Sequence, residues 1–395
     1  MNKERNEYYM VTMTSADSAL KSVYLGVVAE QLNTAANPLL AKIKQSTADV
    51  WGKEVRRLAQ YGVNGGVGAG TEEGDLPSAA GNNYEQFVTT LKNLYGTIEI
   101  SDKAVRASEN NIGAFVNLLN AEMDGLIRSS SFNFGRMLFG DGSGVLCKVA
   151  SVTGNTVTAD SVKNLIEGMT VDFLDGESVS VAGRRITAVD RETKTFTVSG
   201  AALDGSVDAD DKVCVQGSYK LELTGLGAIF QSTGSLYGLD RATHKWMIPY
   251  MKSDVGEIDE TVIQTAIDRL EERAGSRVDF IVCSWGVKRA LQKYFAQYKQ
   301  MTDVTELAGG YRAITYNGIP IVADRFCPDG TMYLLNTSDF CLHQLCDWKW
   351  LEGDDGKVMK QVPGKPLYTA TLVKYADLIC TRPCGQAMLS GITEA

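Results

Sequence analysis

Two histidines, His244 and His343, are the whole imidazole complement of the chain, and they limit what it can catalyse or coordinate. No HExxH helix and no histidine cage for zinc is present. A nucleophile triad would have to recruit one of these two rings, and no GxSxG turn exposes a serine for it. Cys341, His343 and Cys346, with Cys380 and Cys384 downstream, can be assembled on paper into a zinc site. On a strand, Cys341 and His343 share a face while Cys346 points away, so convergence would need a bend. Paired CxxC knuckles are missing, and free buried thiols are the better reading. Asp204, Asp208, Asp210 and Asp211 hint at calcium but lack the EF-hand spacing, which favours a solvated acidic turn. The glycine-rich stretch Gly62–Gly70 suggests a phosphate cradle, yet neither GxGxxG nor GxxxxGK[ST] occurs. The expectation is no catalytic residue, no cofactor and no metal.

Composition points the same way. The 395 residues carry 39 Lys and Arg against 48 Asp and Glu, a formal charge of -9, which argues against a dedicated nucleic-acid binder. With 44% hydrophobic and 22% charged residues, the chain is of ordinary globular type. No apolar run approaches the roughly 18 residues of a membrane helix. The first residues lack the apolar core of a signal peptide. A cytoplasmic setting, reduced thiols for all eight cysteines and an N-terminus that is not removed are expected.

The elements that would position these residues follow from periodicity. Residues 1–14 read as a polar arm. Ser15 or Asp17 caps a helix carrying Leu20, Val23, Tyr24, Val27, Val28 and Leu32, ended by Asn37-Pro38. Lys53–Tyr61 and Tyr84–Ser101 read as extended arms around 22 residues, Gly62–Asn83, which hold seven glycines. A structureless connection that long is uncommon inside a compact domain; it is either functional or a linker. Ile112–Phe139 repeats apolar residues at helical spacing for roughly 42 Å, with Ser129–Ser131 as a possible kink and Gly140–Gly144 as its end. Val149–Tyr219 then reads as short strands, with eleven acids against six bases and turns at Asp175-Gly176 and Ala182-Gly183. Beyond Gly225 come a helix from Asp259 to Gly275, a buried strand Phe280–Cys283 and a helix from Trp285 to about Tyr298. Strands follow at Ala313–Asp324, Met332–Leu335, Phe340–Leu345 and Tyr368–Thr381.

This order of elements resembles the major capsid proteins of tailed bacteriophages with the Hong Kong 97 fold. The stretches that carry the likeness are NPLLAKIK (Asn37–Lys44), LYGTIEISDKAVRAS (Leu94–Ser108), GAFVNLLNAEMDGL (Gly113–Leu126) and SLYGLDRATHKWMIPY (Ser235–Tyr250). The resemblance implies an α+β fold with an inserted all-β module. Its division would be residues 1–52 as N-terminal arm and helix, 53–92 as the E-loop, and 93–148 with 348–395 as the peripheral domain with its spine helix. Residues 149–219 would be the β module and 220–347 the axial domain.

The function implied is a shell subunit that assembles with itself into hexamers and pentamers. It would enclose double-stranded DNA as contents without sequence-specific contact, in a virion put together in the host cytoplasm. A separate scaffolding protein, a portal and decoration proteins are the implied partners, with no membrane. An encapsulin-like shell around protein cargo is the alternative, and an enzyme with a β substrate domain a distant one. Some members of the family cross-link subunits through a Lys–Asn bond beside a Glu; no matching trio is found, and none is expected. Residues 1–57 hold eight basic and six acidic side chains, so an inner surface there would be at most slightly basic. Lys53, Val55, Arg56, Arg57, Leu58, Glu72, Glu73, Asp75, Phe87 and Leu91 are the expected intersubunit contacts. Val55, Leu58, Phe87 and Leu91 would find their partners on a neighbour. Arg56 and Arg57 would either form a solvated face or meet a neighbour's Glu72, Glu73 or Asp75.

Overall fold

The computed structural model describes residues 37–103, 112–297, 304–307, 311–353 and 356–395. The arm and helix expected over residues 1–36, and the end of the DKAVRAS run, lie outside the described residues.

Two sheets organise the chain. The first is built on one long strand, Leu367–Cys380, buried along most of its length. Along one edge it pairs antiparallel with Lys92–Ser101; along the other it pairs with Phe340–Trp350 and with the short Lys360–Gln361. Lys44–Ser46 adds a parallel edge strand beside Phe340–Trp350. Helix α1, Ile112–Phe139, packs on this sheet through Met123, Ile127, Phe134 and Leu138, all buried at helical spacing. Its end is fixed by close approach. A Cβ on Gly225 would fall 2.3 Å from the carbonyl oxygen of Met137 and 2.6 Å from that of Gly140, so only glycine fits where the returning chain crosses the helix terminus.

The second sheet has seven strands in the order Tyr250–Lys252, Ala387–Leu389, Met332–Leu335, Phe280–Cys283, Ile319–Ala323, Tyr311–Tyr316, Val304–Leu307. Its pleat sorts side chains to two cores. Phe280, Val282 and Leu335 join the large core shared with α1, while Ile281, Cys283 and Leu334 face α2 (Glu260–Ala274) and α3 (Trp285–Gln297). The ends of α2 match expectation: Asp259 accepts from the Val262 amide at 2.7 Å, and Gly275 closes it in the left-handed region at φ 56°. Ala313–Asp324, expected as one strand, is a hairpin instead. Asn317 and Gly318 both take positive φ, 49° and 78°, and turn the chain back on itself.

Sheet membership also departs from the expected division. Phe340–Asp347 falls in the expected axial segment but pairs with the long strand of the first sheet, and Ala387–Leu389 falls in the expected peripheral segment but joins the second. The chain crosses between sheets twice near its end, which linear boundaries cannot express.

Between α1 and Gly225 lies a closed six-stranded barrel. Its strands are Val145–Thr153, Thr156–Ala159, Thr170–Asp175, Ser178–Asp190, Thr195–Val198 and Lys212–Val215. It therefore starts four residues before the expected Val149, and Leu146 and Cys147 are already buried. The turn expected at Ala182-Gly183 is a bulge inside one long strand. Gly183 sits at φ 68° with its amide donating to Asp172 Oδ1 at 2.7 Å, and the register slips opposite it.

Candidate functional site: a hairpin seated on its own chain

Glu54–Tyr61 and Asn83–Thr90 form the stem of the glycine-rich hairpin, with Val50–Trp51 as a third short strand. The second arm does not continue through Leu91; Lys92–Ser101 belongs to the first sheet. Strand alternation gives the stem two unlike faces.

The inner face is Val55, Arg57, Ala59, Phe87, Thr89 and Leu91, and it is closed by the chain itself. Phe87 is fully buried; its ring lies 5.2 Å from that of Tyr237 and 5.9 Å from that of Trp246, and Tyr61 stacks on Trp246 at 4.8 Å. The Val88 amide donates to the Tyr237 carbonyl at 3.0 Å. Val55, Phe87 and Leu91, expected to wait for a neighbour, are thus core residues of their own subunit. Tyr237 and Trp246 lie more than 140 positions downstream and could not be counted as partners from the local sequence.

Beneath the stem runs a polar seam. A guanidinium only donates, so the 3.3 Å contact from Arg57 makes His343 Nε2 an acceptor, leaving Nδ1–H to donate to the Ala48 carbonyl at 3.0 Å. Both ring nitrogens are occupied, and burial pushes the His343 pKa below the usual value. Among the described residues no group of three His, Cys, Asp or Glu is placed to hold a metal, and the described cysteines are free thiols. Directly opposite on the next strand, Asp377 is fully buried and accepts from Thr89 Oγ1 at 2.6 Å, the Thr224 amide at 2.8 Å and Thr224 Oγ1 at 3.0 Å. Burial raises its pKa against the pull of these bonds. The seam thereby joins stem, N-terminal strand, barrel exit and central strand. Of the acids expected to form a solvated acidic turn, Asp204 accepts from the Gly154 amide and Asp211, which is buried, from that of Asp208; they close turns.

The outer face and the tip are different. Trp51 is 71% and Leu58 63% exposed, Arg56 pairs among the described residues with Glu54 two residues away, and Lys53 is exposed. At the tip Glu72, Glu73 and Asp75 are exposed, as are Val63, Val67 and Leu76, the last at 90%.

No family model matches the sequence, and no curated protein matches it. Solved structures do. The chain is similar to a chain of the cyanophage A-1(L) capsid asymmetric unit, with a TM-score of 0.55, 13% identity and 92% of each chain covered. It also aligns with the holo-SrpI encapsulin complex from Synechococcus elongatus PCC 7942 (TM-score 0.47, 11% identity, 93% of this chain and 95% of that one). A third alignment is to a protein of Mycobacterium phage Bobi (0.45, 8%, 98% and 99%). The hairpin, the long helix and the two sheets are therefore the parts of one known architecture: the chain has the Hong Kong 97-type fold of tailed-phage capsid proteins.

Proposed function

We propose that the chain is the major capsid subunit of a tailed bacteriophage, assembling into hexamers and pentamers of an icosahedral shell around double-stranded DNA. The observation that carries this reading is the shared architecture with the cyanophage capsid chain over 92% of both chains. The two-faced hairpin supports it: one face belongs to the subunit, and the other offers large apolar groups to water. Work of this kind needs no catalytic residue; many modest interfaces sum to a stable shell. Lys53, Arg56, Leu58, Glu72, Glu73 and Asp75 are the proposed intersubunit contacts. The domain division is proposed as peripheral and axial units built on the first and second sheets, with the barrel between them and outside the shell. A separate scaffolding protein, a portal and decoration proteins are the proposed partners, and DNA is content rather than ligand.

Electron microscopy of the purified full chain tests the reading. Closed shells or hexameric rings are expected; soluble monomers under every condition would end it. Shells recovered from producing cells should contain nuclease-protected DNA, whereas a defined protein cargo without DNA would move the chain to the compartment class.

A further inference from the structure

Lys374 lies near the middle of the longest strand, and its side chain is 0% exposed. Its Nζ donates to Asp347 Oδ1 at 2.8 Å and to Gln45 Oε1 at 3.3 Å. The rings of Phe134 and Trp348 flank it, with centroids at 5.5 Å and 5.7 Å. Three strands remote in sequence supply these groups. Gln45 arrives on the parallel edge strand, opposite Leu342. Asp347 comes from a break in register, where the ladder skips from Cys346 opposite Tyr375 to Lys349 opposite Val373. Such irregularities re-aim side chains.

An amine, a carboxamide and a carboxylate converge here among aromatic rings. Burial disfavours the ammonium and pushes the Lys374 pKa below the usual lysine range, with Asp347 opposing. An amine whose ammonium is disfavoured and which can hand its proton to a neighbour is a nucleophile. A carboxylate at hydrogen-bond distance can take its proton and return one to a leaving group. Reactants held by a folded sheet need no encounter, which favours even a weak electrophile such as a primary amide.

We propose that Lys374 and Gln45 join in an intrachain Nε-(γ-glutamyl)lysine bond, with Asp347 as the proton carrier. Asp347 accepts a proton from the Lys374 ammonium, and the freed lone pair of Nζ adds to Gln45 Cδ. The Nζ–Cδ bond forms, and the carbonyl electrons pass to Oε1. Collapse of that adduct expels Nε2, which takes the proton from Asp347 and a second one from Nζ and leaves as ammonium. The proton count closes with one ammonium released per bond, and no oxidant or external reactant is required. The product would close a loop across a sequence separation of 329 residues and fix the N-terminal edge strand to the central strand. It differs from a bond between subunits, since all three groups lie in one chain.

Intact-mass measurement of the full-length protein, purified folded and then denatured, tests this without any variant. The expected mass is about 17 Da below that of the sequence, for loss of ammonia, with a branched proteolytic peptide joining the Gln45 and Lys374 segments. Gln45→Ala and Asp347→Asn should restore the full sequence mass of each variant while the near-ultraviolet circular dichroism of the fold is retained. A wild-type mass equal to that of the sequence after prolonged incubation overturns the proposal. So does a loss of about 18 Da with a branch at Asp347, which would make that residue the electrophile.

Discussion

The barrel and the hairpin both leave the body of the subunit, one after α1 and one between two strands of the first sheet, and they acquire their cores in opposite ways. The barrel closes on itself: Val157, Leu165, Phe173, Phe196 and Val198 are buried, and the ring of strands leaves no edge to pair with another chain. Its buried side chains also run on into the large core shared with α1, and polar contacts add to that join. Arg136 at the end of α1 makes a buried two-pronged pair, at 2.8 and 2.6 Å, with Glu222 on the segment that leaves the barrel, and Lys163 reaches from the barrel to the Cys327 carbonyl at 2.6 Å and the Asp329 carboxylate. The hairpin encloses nothing. Its stem borrows Tyr237 and Trp246, and among the described residues its tip borrows no such core. An element with its own core can be decoration; one without is available for a neighbour to complete.

The sharpest way to break this comparison is to empty the borrowed core. Phe87→Ala should destabilise the subunit by about 3–5 kcal/mol, the usual cost of deleting a packed phenyl group. Denaturant unfolding measures it, and a loss below about 1 kcal/mol would mean that the stem is not seated on its own chain.

Next in size is the tie between α1 and the segment that leaves the barrel. Glu222→Leu leaves the Arg136 guanidinium buried and unpaired, for an expected loss of about 3 kcal/mol or somewhat more. Adding Arg136→Met should recover most of it, because an apolar pair of similar volume avoids desolvating two charges. A double variant no more stable than the single one would show that the pair specifies the docking geometry and does not merely avoid an unpaired charge. Replacing Val145–Val215 by a short Gly/Ser linker should then leave a folded remainder, whereas cutting at Val149 leaves half a strand with Leu146 and Cys147 exposed. Soluble expression and circular dichroism of the two deletions separate these outcomes.

The seam under the stem predicts a smaller, pH-dependent effect. His343 is held neutral in the folded state, with Arg57 and Asp49 as the charges that bear on it. Its folded pKa lies below the unfolded value near 6.5, so the unfolded chain binds the proton first as pH falls. Stability supplied by the neutral ring is full above that value and is lost as pH drops below it. Asp324, raised by burial to about 6, and Asp377, raised too, act with the opposite sign, because their folded forms bind protons first. The comparison must therefore be differential. Wild type should lose more stability than His343→Gln between about pH 7 and pH 5, since glutamine can accept from Arg57 and donate to Ala48 without titrating. Equal slopes for the two proteins would remove His343 from the account.

Local signals carried much of the architecture, and non-local ones did not. Asp259 and Gly275 bound α2 because capping is a matter of adjacent residues, and the α1 stripe is legible because its apolar positions recur along one face. Asn317-Gly318 was equally local, a hairpin signal inside what reads as continuous strand. Gly183 shows the limit: a glycine marks special backbone, but only the partner strand decides between a turn and a bulge. The stem's inner face was misassigned because Phe87 has no nearby partner in sequence and two aromatic ones in space. The seam was invisible for the same reason, as Arg57 meets His343 across 286 positions.

The smallest effect on the subunit is expected at the tip, where the two regions differ most. Val67 and Leu76 are almost wholly exposed, so Val67→Ser with Leu76→Ser should change subunit stability by no more than about 0.5 kcal/mol. If the tip is completed by a neighbour, the same pair should slow assembly and lower shell yield by removing apolar area that only the assembled state buries. Gly66 and Gly68 sharpen the point. Neither takes positive φ, so valine there is not excluded by backbone strain, contrary to what a glycine-rich tip suggests. At Gly66 the obstacle is contact, since a Cβ would lie 3.1 Å from the Ala80 amide nitrogen and 3.0 Å from Asn64 Oδ1. Gly66→Val should therefore impair assembly more than Gly68→Val, whose nearest neighbour is the edge of the Pro77 ring at 3.3 Å. Light scattering of assembly, with hydrogen exchange over residues 62–83 in free and assembled protein, reads both effects. Strong and equal protection of that segment in the two states would place the tip in the subunit's own structure and erase the contrast with the stem.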